Sequence, residues 1–111
     1  MSLLHKNLTQ EKWNKLSKDK QILNIASELT RAKHWLDQDE KQYAGNSLDR
    51  VLELVDLTIQ SRIWDKNFFR EFLRWREQVG TLYAGAQAKT EADLLLRSLL
   101  NFLPQTSIIQ I

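Results

Sequence analysis

The chain has 111 residues, with 16 lysines and arginines against 14 aspartates and glutamates, a net charge of +2 and a pI near 9.0. So even a balance excludes binding of polyanions by bulk charge alone. The absence of cysteine excludes disulfides and thiolate metal sites, and no apolar run reaches the length of a membrane span.

One domain is expected over residues 1–111, with 1–8 and 105–111 as tails. No basic-then-apolar leader opens the chain, so a cytoplasmic protein without a membrane partner is expected. Thr9 fits the cap of a short helix over Gln10–Leu16 that carries Trp13 and Leu16 on one side. Ser17 then offers a second cap for a long helix. In that helix Ile22, Ile25, Ala26, Leu29, Ala32 and Leu36 recur at steps of three and four and fall on one face. Gln21, Asn24, Ser27, Glu28, Arg31 and Lys33 surround the apolar face.

The polar stretch Asp37–Glu40 reads as a turn, with Asp39 as N-cap and Gln42 as its capping-box partner, so the next helix is expected to start near Glu40. Its stripe is Ala44, Leu48, Val51, Leu52, Val55 and Ile59, widened by Tyr43, Leu54 and Leu57. Asp49, Glu53, Asp56 and Gln60 form a narrow polar stripe, which predicts a central helix covered on two sides. Asp65 caps a third helix with its core at Phe68, Phe72, Trp75, Val79 and Leu82. Gly80 weakens its last turns, and Gly85 is the expected stop. Residues 84–89 read as a loop, Thr90 as the cap of a fourth helix through Leu103, and Pro104 as its end. The fold expected is therefore all-α, an up-and-down four-helix bundle with a short extra N-terminal helix.

Few residues fall in patterns that carry chemistry. His34 and Asp37 have ligand-like spacing, but His34 lies off the apolar face and no third ligand converges, so no metal and no cofactor is expected. The row Asp49, Glu53, Asp56 lacks the inward Glu-x-x-His of metal-carrying bundles and reads as a solvated acidic face. No catalytic residue emerges. Lys66, Arg70, Arg74 and Arg76 beside Trp75 form a basic-aromatic edge, a candidate RNA-binding surface whose plainer reading is a solvated border around a core tryptophan. Glu28, Arg31 and Arg50 fall on facing flanks of the two long helices; they read as a bridged helix seam or, alternatively, as the polar site of a small enzyme. Trp64, Trp75 and the tail isoleucines Ile108, Ile109 and Ile111 are the candidates for contact with another chain.

The order Arg31-Ala32-x-x-Trp35-Leu36, an acidic turn, then Ala44-x-x-Ser47-Leu48-x-x-Val51-Leu52-Glu53-Leu54-Val55 resembles the paired helices of HEPN-like bundles. That family includes the small helical partners of minimal nucleotidyltransferases. The resemblance covers about half the chain and implies a four- or five-helix bundle that dimerises. Family members that are ribonucleases use an arginine and a histidine four to six residues apart; here Arg31 and His34 are closer and no histidine follows, so that activity is not carried over. The expectation is a non-enzymatic helical interaction protein, a homodimer or a nucleotidyltransferase's partner, with RNA binding through the basic edge as the alternative.

Overall fold

Hydroxyl and carboxylate caps start three of the helices where the sequence places them. In the computed structural model, which describes residues 8–83 and 88–103, α1 is Gln10–Asn14 and Thr9 Oγ1 accepts the Lys12 N–H at 3.2 Å. Helix α2, Lys18–Asp37, opens on Ser17, whose Oγ accepts from Lys20 N at 3.2 Å. Helix α4, Lys66–Gly80, opens on Asp65, whose Oδ1 accepts from Phe68 N at 2.8 Å. Each bond satisfies one of the orphan donors of a first turn.

The α2–α3 turn works differently from the expectation. Asp39 has φ 57° and is the left-handed residue that closes α2, not the cap that opens α3. Glu40 N donates to Trp35 O at 2.9 Å and Asp39 N to Leu36 O at 3.1 Å, the paired bonds of a Schellman ending. Helix α3, Lys41–Ser61, therefore starts after Glu40 without any side-chain cap, and the Asp39–Gln42 box is not formed. Aspartate tolerates the left-handed region better than most residues, which is why it stands where glycine is usual. Two further boundaries move. Helix α4 ends at Gly80 and passes into a single 3₁₀ turn, Thr81–Tyr83, that buries Leu82; Gly85 lies outside the described residues. Helix α5, Ala88–Leu100, is already helical at Ala88, so Thr90 is inside it and caps nothing. Pro104 lies outside the described residues.

The described helices make an all-α core. Helices α2 and α3 form an antiparallel hairpin, α5 packs on one flank of α2, α4 touches both α3 and α5, and α1 lies across the end of α3. Ile22, Ile25, Leu29, Val51, Val55 and Phe72 are fully buried where these helices meet. Leu8, placed by sequence in the N-terminal tail, packs against this core. Trp64, Phe68 and Phe72 stack along α4, with centroids 3.8 and 4.6 Å apart, and Phe102 after α5 meets Phe68 edge-on at 5.2 Å. No described helix is long and apolar enough to cross a membrane.

Candidate functional site

The largest departure from the sequence reading is Gln21. Placed among surface residues by pattern, it has no exposed surface. Its Nε2 donates to Trp13 O at 3.1 Å, and its Oε1 accepts from Trp64 Nε1 at 3.2 Å. Trp13 Nε1 donates to Thr58 Oγ1 at 3.1 Å, and Thr58 Oγ1 donates to Leu54 O at 2.8 Å. Ser61 Oγ donates to Thr58 O at 2.6 Å, 3.5 Å from Gln21 Oε1. One amide thus ties α1, α2, the end of α3 and the α3–α4 linker together. The side-chain groups of this network are engaged with one another or with backbone carbonyls, so it reads as a clasp and not as a reactive site. The available signal was Gln21's position next to Ile22 and one turn before Ile25, on the flank that must meet Trp13.

The seam candidates divide. Glu28 is buried and its Oε1 lies 3.4 Å from Arg31 Nη1. Arg50 is half-buried on α3 and forms no ion pair among the described residues, so the Glu28–Arg50 bridge is not made. Beyond Arg31 the seam ends in Trp35 and Tyr43, whose ring centroids are 4.9 Å apart, with Tyr43 53% exposed. His34 is exposed and meets Trp35 edge-on at 5.0 Å.

The basic-aromatic edge also divides. Trp75 is 3% exposed and its Nε1 donates to Leu95 O at 2.9 Å, so it belongs to the chain's own core and is not a surface anchor. Arg76 turns toward α3 and grips Asp56, Nε to Oδ1 at 3.0 Å and Nη2 to Oδ2 at 3.4 Å. Arg74 pairs with Glu71 at 3.5 Å along the outer face. Lys66 and Arg70 remain exposed and unpaired among the described residues. Trp64 is half-buried, stacked on Phe68, with the Lys18 ammonium 5.4 Å from its ring centre. Ile108, Ile109 and Ile111 lie outside the described residues.

The acidic row of α3 is exposed at Asp49 and half-exposed at Asp56, and α4 and the 3₁₀ turn each reach one of its carboxylates. Asp56 holds Arg76, and Asp49 Oδ1 accepts from Tyr83 Oη at 2.5 Å. Partial burial, then the hydrogen bond and charge of Asp49, raise the Tyr83 phenol above its ordinary value. Between α2 and α5 Lys33 Nζ meets Asp93 Oδ1 at 2.7 Å and Arg97 meets the same carboxylate at 3.2 Å. The Lys33 hydrogen bond, opposed by desolvation and helped by Arg97, holds the Asp93 carboxyl below the usual carboxylate range.

Among the described residues, a shallow depression of about 690 Å³ lies between α1, α3 and α4, lined by Gln10, Ile59, Gln60, Arg62 and Phe69. Helix α3 contributes Ile59 and Gln60, and its left-handed C-cap, Arg62 at φ 60°, turns the chain toward α4. Gln10 is held in place by a 2.9 Å bond from its Nε2 to Leu57 O. Leu73, one turn after Phe69 on α4, is 47% exposed beside it. None of the five lining residues was a site candidate by sequence, because the depression depends on how α4 leaves α3. No family model, curated protein or solved structure matches this chain.

Proposed function

We propose that the chain is a non-enzymatic helical interaction protein, an up-and-down four-helix bundle that works as a homodimer in the cytoplasm or, in the HEPN-like manner, as the small helical subunit of a nucleotidyltransferase. One observation carries this reading. Ionisable groups that reach from one helix to another are engaged with each other, as in Asp56–Arg76 and Lys33–Asp93, while apolar carbon stays open at Ile59, Phe69 and Leu73 around a depression. A set of polar groups engaged in this way supports association better than it supports bond-making. The test is absolute mass by light scattering on the full chain, with and without proteins retained from the native host. A mass near twice 13.1 kDa, or a stoichiometric second protein, is expected. A strict monomer that retains nothing overturns the reading.

Lys66 and Arg70, unpaired among the described residues, favour a second reading, RNA binding on the outer face of α4. It requires an affinity that falls steeply with salt, and the absence of binding at low salt removes it.

A further inference from the structure

Resting on the interaction reading, we infer that the depression between α1, α3 and α4 is a docking groove for an acidic, apolar peptide segment of a partner protein. The floor is hydrocarbon: Ile59 from α3 and Phe69 from α4 line it. Leu73, four residues after Phe69 and 47% exposed, continues the same strip along α4. The rim is cationic. Arg62 lines the depression, Lys66 stands three residues before Phe69, and Arg70 stands four after Lys66, so all three border the strip. All three are exposed, and none forms an ion pair among the described residues, whereas Arg74 and Arg76 on the same helix each have a carboxylate. An apolar strip bordered by cations without counter-charges selects a ligand of the opposite pattern, leucine-like side chains flanked by carboxylates.

Arg62 supplies an independent argument. It occupies a left-handed backbone position, φ 60°, at the C-cap of α3, where glycine is free of strain. A cation suits a helix C-terminus, but a lysine or arginine anywhere in the last turn would serve that purpose. Holding a guanidinium at a left-handed position, on the lip of the depression, is the kind of local cost that a binding role accounts for.

Other occupants fit less well. Phe69 is half-buried and sits edge-on to Phe68 at 6.1 Å, so the groove lacks the open aromatic faces on which RNA bases stack. The chain's own segment Gln105–Ile111 has no acidic side chain to answer three cations.

The experiment is a selection of displayed random short peptides on the immobilised full chain, followed by affinities of the enriched peptide for wild type, Arg70→Glu and Leu73→Ser. Both substitutions are at exposed positions; far-UV circular dichroism and the urea midpoint verify that each variant is folded. The expected result is a consensus of apolar residues flanked by Asp or Glu, binding at least tenfold weaker to each variant, with the Arg70→Glu loss shrinking as salt rises. A basic consensus, no enrichment, or affinities unchanged in both variants overturns the proposal. So does a uridine oligonucleotide that binds more tightly and is lost in the same variants. Peptide binding that appears only after residues 104–111 are removed gives the groove to the chain's own tail and overturns it too. A mass above one chain that Leu73→Ser abolishes gives it to a second copy; that outcome sinks the groove proposal and leaves the interaction reading standing.

Discussion

Gln21 shows how a single polar side chain can hold several elements in register. Its amide has no exposed surface and faces Trp13 O with the donor end and Trp64 Nε1 with the acceptor end. Replacing it with methionine keeps the volume and removes both bonds. The expected cost is about 2 kcal/mol, because a buried carbonyl and an indole N–H lose their partner. Urea unfolding measures it, and Trp64→Phe in the same background should then cost less than in wild type, as expected of residues sharing one network. A Gln21→Met chain as stable as wild type would show that the clasp is dispensable. The residue scale is also where sequence pattern fails first. Period and polarity put Gln21 outside because glutamine is usually outside; its burial depends on two tryptophans, one of them 43 positions away. Arg76 and Trp75 were read as one edge for the same reason, since adjacent residues on a helix point to different neighbours.

At the scale of elements, most of the chain was legible. The steps of three and four at Ile22–Leu36, Ala44–Ile59 and Phe68–Leu82 correspond to the buried faces of α2, α3 and α4 with few exceptions, of which half-buried Leu36 and exposed Tyr43 are the clearest. Boundaries were less legible where backbone conformation decides them. Asp39 looked like a cap because its side chain is one of the good N-cap types, but its left-handed φ spends it on the end of the preceding helix. Gly45 offers a test of how far local propensity limits this fold. It lies within α3 with nothing near the position a Cβ would occupy and with φ in the ordinary range. Gly45→Ala should raise stability by about 1 kcal/mol, which in a domain of this size moves the thermal midpoint upward by about 4–8 °C. No change, or a fall, would mean that something other than helix propensity occupies that place.

For the whole molecule, closure depends on how α5 is tied to α2. The two helices run antiparallel, pinned by Lys33–Asp93 at 2.7 Å and by Lys89–Asp39 at 3.6 Å. Asp93 has its carboxyl held below the ordinary value, so its contribution is fully present above about pH 4, the unfolded range, and is lost as pH falls through the lower folded value. Asp93→Asn should therefore flatten the acid limb of a plot of urea midpoint against pH and leave its neutral-pH shape unchanged. An acid limb identical to wild type would assign acid sensitivity to other carboxylates. The candidate groove was the least legible feature of all, because it exists only where the lip at Arg62, the start of α4 and the side of α1 come together. Lys66 and Arg70 were visible as cations, but their pairing with Ile59 and Phe69 in place of Trp75 is a property of the packed chain.

The order of helices has a consequence during synthesis. Helix α2 leaves the ribosome early, and α3 follows at once to cover one of its flanks. The flank that α5 covers stays bare until Ala88–Leu100 has emerged, after α3, α4 and the 3₁₀ turn have been made. The nascent chain thus carries an apolar, half-finished hairpin for the time it takes to translate those residues, a species that can bind chaperones or pair with a neighbour on the same messenger. Two hairpins exposed together, each waiting for its own α5, are a natural route to an exchanged dimer in which the closing helix is supplied by the other chain.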